Sequence, residues 1–338
     1  MKPDFKAAHV AAEFDHTSPL ITCRFDPTGK FVFAAAEDRA IVRWELADAK
    51  KRAVFSAHDG WVWALAFSLD GQTLVSAGAD DTLIWWPATA EKPEPLRKVT
   101  AHKGWIRALA VSPDGKLLAS GGNDRFVKLW HLADGKLAQE FSGHELDVYS
   151  VAFHPDGKFL LSGDLMGKVQ QWDLATGKSV RVLDAKTLHH YDGGQQVHFG
   201  GIRGLAVSPD KKSIACGGLH KATNPLGNVH EPLVQRFEWD THKLLKSHIT
   251  DGLTNSTVWR SMFHPDGTLM AASGGGSGGH LLFWGADDEK AFHKFALPDM
   301  ARDMDLHPDG IQVATTHYSK KLRLTKLAAK APESAKKA

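Results

Sequence analysis

The sequence predicts an all-β fold in one domain over residues 1–327, a seven-bladed β-propeller whose last blade is closed by the N-terminal strand. Three observations predict it. A tight-turn signature, Pro-Asp-Gly or a close variant, recurs seven times along the chain. Histidines that open the clearest units are spaced by about 40–45 residues, a period that marks a repeat architecture. The last unit runs out after Leu327 without a fourth strand, whereas Phe5 to Phe14 precedes the first unit and has no blade of its own. A strand supplied from the other end of the chain would complete that sheet and protect its edge.

The units follow one another in order. The first holds Asp26-Pro27-Thr28-Gly29 and Trp44; the second runs from His58 through Phe67-Ser68-Leu69-Asp70-Gly71 to Trp86. The third is the clearest, running from Ala101-His102 through Ser112-Pro113-Asp114-Gly115 to Trp130, and the fourth runs from Gly143-His144 through His154-Pro155-Asp156-Gly157 to Trp172-Asp173. Weaker copies hold Ser208-Pro209-Asp210 with Trp239, His264-Pro265-Asp266-Gly267 with Trp284, and His307-Pro308-Asp309-Gly310 with Leu322 to Leu324. In each turn Pro presets the first torsion, while Asp and Gly supply a side-chain hydrogen bond and a positive φ. The pattern resembles the WD40-repeat family, whose unit opens near Gly-His and closes on Trp-Asp.

That resemblance implies a buried network in each complete blade, linking the His before the first strand, a Ser in the second, an Asp in the following turn and the Trp of the third. Blade two matches with His58, Ser76, Asp80 and Trp86, and blade three with His102, Ser120, Asp124 and Trp130. Blade one has Ala34 in place of Ser, and blade four has Met166 in place of Asp, so both are expected to be looser. Blade five is assigned His198, Cys216 and Trp239, blade six Ser273 and Trp284, and blade seven only Thr315. The Ser, His and Asp sets recur in tandem and lack a nucleophile elbow, so they are read as structural and no catalytic residue is expected.

The resemblance also places one residue per blade at the top of the central channel: Ile21, Trp63, Arg107, Tyr149, Arg203, Trp259 and Arg302. Trp61 and Trp105, two residues earlier in their strands, extend the patch, and Glu37, Ala79 and Asn123 are expected on the same rim. Trp, Tyr and Arg dominate binding hot spots because they bury a large area and still offer polar edges. The expected function is therefore a non-enzymatic scaffold that presents this top face to a protein or peptide, with the propeller itself monomeric.

Blade five carries two irregular stretches, Thr187 to Gly201 and Leu219 to Pro232, which are expected as loops on the same face. Their His189, His190, His220 and His230 would be metal-ligand candidates if the loops converged, but the spacing matches no metal signature, and no metal or cofactor is expected. A ligand, metal or enzymatic site in these loops is the alternative reading. Ser273 to Gly279 reads as a flexible top loop, with a phosphate-binding nest as the weaker possibility.

Composition narrows the classes. The chain has 41 basic and 39 acidic residues, and Lys326 to Ala338 holds four lysines against one glutamate, so the body carries 37 against 38, about −1. Binding to nucleic acid through phosphate neutralisation needs a concentrated basic surface, which this balance disfavours. No apolar run approaches the roughly 20 residues of a membrane span. Met1 to Phe14 lacks the apolar core of a secretory signal, so a cytoplasmic location is expected. Cys23 and Cys216 lie in apolar strand-like runs and are expected to be buried thiols; residues 328–338 are expected to form a mobile tail.

Overall fold

The computed structural model describes residues 2–224 and 229–330; the end of the Ala/Lys-rich tail, from 331, lies outside the described residues. Seven four-stranded antiparallel sheets follow one another around a central channel. Blade one comprises Leu20–Phe25, Phe31–Ala36, Ile41–Glu45 and Asp48–Phe55, and the following blades repeat this meander from the axis outward. In blade seven the sequence supplies only Ala301–Leu306, Gln312–His317 and Lys321–Lys326; the outer strand is His9–Asp15, paired antiparallel to Lys321–Lys326. The preceding Phe5–Ala7, expected as part of that strand, forms a short 3-10 turn capped by Asp4. Phe5 still contributes to closure, its ring packing at 5.0 Å from Phe283 of blade six.

Each sheet has two faces, and both are covered by neighbouring blades, so the inner strands are almost continuously apolar. Seven apolar clusters result, one for each contact between adjacent blades. Phe33 and Phe55 of blade one meet Trp86 of blade two, and Phe14 of the closing strand meets Trp44 of blade one at 5.7 Å between ring centroids. A ring held this way has no weak join except where its two chain ends meet. There Glu13 of the closing strand accepts from Arg323 at 2.6 Å and from Lys321 at 2.9 Å.

The turns between first and second strands behave as their residues dictate. Ser68 N–H donates to the Thr73 carbonyl at 2.9 Å, and Gly71 takes a φ of 69°. Among the described residues the two stretches of blade five are largely strand and not irregular loop; 225–228, within the second, lie outside the described residues. Thr187 to Gly201 contains a hairpin, His189–Asp192 against Val197–Gly200, and the second stretch prolongs the middle strands Ser213–Asn224 and Val229–Glu238 beyond the sheet.

The Ser/Gly run of blade six is likewise strand, Leu269–Gly275 pairing with Gly278–Trp284. Its glycines admit backbone from blade seven: a Cβ on Gly274 would lie 2.2 Å from the Ala301 carbonyl oxygen, and one on Gly279 2.1 Å from that of Asp299. Close backbone packing, and not an anion nest, accounts for the run. Among the described residues no helix is long and apolar enough to cross a membrane.

Candidate functional site at the channel mouth

The geometry of the channel mouth begins with a repeated defect. The pairing of first and second strands shifts register between Leu20 and Thr22, Val62 and Ala64, Ile106 and Ala108, Val148 and Ser150, Val258 and Arg260, and Ala301 and Asp303. The residue inside each shift is Ile21, Trp63, Arg107, Tyr149, Trp259 and Arg302, and Arg203 stands just before the paired stretch of blade five. A bulge leaves its extra residue off the ladder and re-aims the side chain. All seven side chains line one cavity of about 310 Å³, together with Arg24, Arg260 and Asp303 deeper in the channel.

Aromatic rings and guanidinium groups alternate around this mouth. Trp61 lies 6.0 Å from Trp63, which stacks on Trp105 at 5.7 Å. The Arg107 guanidinium carbon sits 4.6 Å from the Trp63 ring, 4.7 Å from Trp105 and 5.2 Å from Tyr149; that of Arg203 sits 5.0 Å from Tyr149 and 4.6 Å from Trp259. The ring quadrupole attracts a cation held over its face, and the attraction grows as water is excluded. Trp61 and Trp105 remain 41% and 40% exposed, beside a shallow rim groove lined by Glu37, Ala79 and Asp59.

The arginines differ in their partners. Arg302 donates to Glu37 at 2.6 Å, and Arg24 donates to Asp303 at 2.7 Å in the channel wall. Arg107 donates through Nε to the Asn123 amide oxygen at 2.9 Å, and the Nε of Arg203 has no partner among the described residues. Burial of the guanidinium groups pulls Arg107 and Arg203 below the ordinary arginine range, while burial pushes Asp305 above the ordinary carboxylate range despite nearby Arg24. The deeper set of Arg24, Arg260, Asp303 and Asp305 was missed by sequence reasoning. Its only sequence signal is position: Arg260 and Asp303 stand one residue after the bulge, where the other blades have small residues, and Arg24 and Asp305 three after it, where the others have Ala or Met.

The structural networks occupy the buried space between channel and outer strands. In blade two Trp86 Nε1 donates to Ser76 Oγ at 2.8 Å, Ser76 lies 2.7 Å from His58 Nε2, and His58 Nδ1 lies 3.0 Å from both Asp80 oxygens. Blade three repeats this with Trp130, Ser120, His102 and Asp124 at 2.9, 2.7 and 2.8 Å. Hydrogen bonds from His58 and from the Asp59 backbone outweigh burial and hold Asp80 below the usual carboxylate range.

Several assignments change. Blade four is complete, because Asp164, and not the position of Met166, meets His144 Nδ1 at 2.8 Å, with Ser162 and Trp172 in their places. Asp164 stands two residues after Ser162 on the same strand face, where blades two and three have Gly78 and Gly122. A Cβ on Gly78 would lie 2.7 Å from His58 Nδ1, so a carboxylate grown from that position falls on the imidazole.

Blade seven uses the same position for His317, which bonds Thr315 at 2.8 Å and Asp299 at 2.8 Å. In blade five the residue facing Ile214 is Phe237, not Trp239, which stacks on His154 at 3.9 Å. The position equivalent to Ser in blade six is Ala271, since Trp284 pairs with Leu269, and Ser273 lies one pleat further on.

His198 does not serve a network; its Nδ1 lies 2.9 Å from His189 Nε2 across the added hairpin. The imidazoles of blade five are spread out. His190 packs on Phe199 at 4.9 Å, His220 lies 3.5 Å from Glu231, and His230 bonds Thr257 at 3.0 Å. Among the described residues no group of three or more His, Cys, Asp or Glu is placed to hold a metal ion. Cys23 and Cys216 are both buried and unpaired with each other, and burial pushes both thiols up.

Comparison with known proteins agrees with this architecture. The family model described as "WD domain, G-beta repeat" matches residues 10–45, 49–87, 93–131 and 135–173, the units that hold the three complete networks and the Ala34 variant. The chain is 29% identical over 133 residues to transcription initiation factor TFIID subunit 5 of Caenorhabditis elegans, covering 39% of this chain and 20% of that protein. It is 40% identical over 67 residues to transducin beta-like protein 3 of Rattus norvegicus, covering 20% of this chain and 8% of that one. Over 86 residues it is 34% identical to small ribosomal subunit protein RACK1y of Oryza sativa subsp. japonica, covering 25% of each. The chain thus spans a quarter or less of these relatives. The four matched repeats and the closed ring of seven blades together make this chain a member of the WD40-repeat β-propellers.

Proposed function

We propose that this chain is a non-enzymatic interaction scaffold that holds a protein or peptide on the channel mouth of its top face. The observation that carries the reading is the unbroken run of Trp61, Trp63, Arg107, Tyr149, Arg203 and Trp259, aromatic and cationic by turns, with two exposed tryptophans at its rim. Side chains of these types supply most of the energy in protein interfaces, and here they are pre-positioned on rigid strands, which lowers the ordering cost of binding. The relatives include proteins whose names place them in multi-component assemblies, a transcription initiation factor subunit and a ribosomal subunit protein, which supports a scaffold role.

An enzymatic reading has less support. The Ser, His and Asp of the complete blades are buried and already bonded to one another and to Trp, so no hydroxyl is presented to a substrate. The blade-five histidines sit at separate places and do not converge on a pocket. The test is affinity capture from the native cell with the wild-type chain and with a Trp63→Ala, Arg107→Ala variant shown to be folded. Loss of specific partners from the variant is the expected result; an unchanged set overturns the reading.

A further inference from the structure

We propose that the channel mouth receives the side-chain carboxylate of an Asp or Glu projecting from a bound acidic peptide, gripped by Arg107 and Arg203. The inference rests on the top face being the docking surface and adds which chemistry that surface selects. Rings of Trp63, Trp105, Tyr149 and Trp259 surround these two guanidinium groups. Rings attract the charge without replacing a carboxylate as acceptor, so apart from Arg107 Nε, which Asn123 takes, the N–H groups that grip a carboxylate through parallel hydrogen bonds keep that role. Among the described residues, neither Arg107 nor Arg203 has a carboxylate within 4.0 Å, unlike Arg24 and Arg302 beside them. Among the described residues Arg203 Nε is a buried donor with no acceptor, as are Trp63 Nε1 and Arg260 Nε of the same cavity, a condition that native proteins rarely leave unmet.

Charge sets the sign of the ligand. Five guanidinium groups line the cavity, those of Arg24, Arg107, Arg203, Arg260 and Arg302. Asp303 accepts from Arg24 and Glu37 from Arg302, while Asp305 and Asp147 add their carboxyl groups nearby, both pushed above the ordinary range by burial. At least one positive charge is left over, and a carboxylate answers it.

The cavity of about 310 Å³ has room for such a side chain, and its rim continues onto the top face. There the exposed Trp61 and Trp105 offer flat apolar surface for the flanking residues. A nucleic-acid strand fits poorly, because the adjoining groove, lined by Glu37, Asp59 and Arg39, offers no excess of positive charge to its phosphates.

The test uses the full chain and fluorescent peptide pools, randomised except for one central residue fixed as Glu, Gln, phosphoserine or Lys, with anisotropy as the readout. The Glu pool is expected to bind about tenfold more tightly than the Gln pool, with the difference shrinking as salt rises. Arg107→Gln and Arg203→Gln, checked for a wild-type unfolding transition, should each erase the preference, and Arg203→Lys should keep part of it. Equal binding of Glu and Gln pools, both weakened by Trp63→Ala, overturns the carboxylate site and leaves the surface reading intact. Preference for phosphoserine over Glu, or displacement of the Glu pool by an oligothymidine strand, overturns it in favour of phosphate or nucleic acid. Binding of no pool overturns it too, and the partner-capture comparison then decides separately whether the surface reading survives.

Discussion

His317 Nδ1 donates to Asp299 Oδ1 across 2.8 Å, and the pair performs in blade seven the task that His58 and Asp80 perform in blade two with the chain order of the two residues reversed. The acid now precedes the first strand, and the imidazole ends the second. Thr315 takes the place of the serine and bonds His317 Nε2 at 2.8 Å, so the hydroxyl-to-imidazole-to-carboxylate order is kept in space. Asp299 also accepts from Arg323 at 2.7 Å, which links the network to Glu13 on the closing strand.

Acid should therefore weaken the ring at its join. Burial pulls the His317 imidazole down from an ordinary 6.5 to about 4, so the folded protein holds it neutral while the unfolded chain takes up a proton. A depressed imidazole contributes stability above the unfolded value and loses it as the pH falls from about 6.5 toward 4, by on the order of 3 kcal/mol in full. His248, also pulled down to about 4 by burial, adds to the loss with the same sign. Melting temperature measured across this range should drop, and His317→Gln should flatten part of the slope. A variant with the wild-type slope would show that His317 does not carry it.

Asp164 is fully buried against His144, and its other oxygen accepts from the Lys168 backbone at 2.9 Å. Removing one partner of a buried, charge-assisted pair costs about 3–5 kcal/mol, because the other is left unpaired. Asp164→Ala should lower the urea midpoint accordingly, whereas Met166→Ala, at the partly exposed position where the sequence pattern expects the acid, should cost less than about 1 kcal/mol. Equal losses for the two variants would refute the reassignment.

These two networks mark where the sequence stopped being legible. The ring itself was plain, since the Pro-Asp-Gly turns and the histidine period count the blades, and the bulged first strands keep Trp63, Arg107, Tyr149 and Trp259 in step with those turns. The networks of blades four and seven were not, because a repeat pattern fixes position along the chain while hydrogen bonding fixes position in space. Two residues past the serine is the same strand face as the serine. Asp164 and His317 both sit at that offset from Ser162 and Thr315, a relationship that strand periodicity could have disclosed. The shorter turn of blade six, His264 N–H to the Thr268 carbonyl at 2.8 Å, moved its register by one residue, and nothing in a Pro-Asp-Gly match reveals that.

The rim tryptophans should be separable from the fold. Trp86 is fully buried and donates to Ser76, so Trp86→Ala should cost about 3–5 kcal/mol and leave the Ser76–His58 network short of a donor. Trp61 is 41% exposed, and Trp61→Ala should stay within about 1 kcal/mol of wild type in chemical denaturation. A large loss for Trp61→Ala would mean that this side chain is there to pack the blade, and the docking surface would lose one of its two exposed tryptophans.

Removing residues 2–15 should open the ring, because three contributions leave together. The strand Lys321–Lys326 loses its partner and becomes a free edge, which templates pairing with another chain. Phe14, 3% exposed, leaves a void against Trp44 and Leu322 in the contact between blades seven and one. Arg323, itself 3% exposed, loses its Glu13 partner and keeps only Asp299, so a buried cation is left half paired. Light scattering coupled to size exclusion should show the truncated chain as oligomers or aggregate larger than the wild-type species, with Glu13→Gln keeping the wild-type size but unfolding at a lower temperature. A monomeric truncated chain with the wild-type melting temperature would mean that the three-stranded blade closes the ring unaided, and that the N-terminal strand is an accessory to the fold.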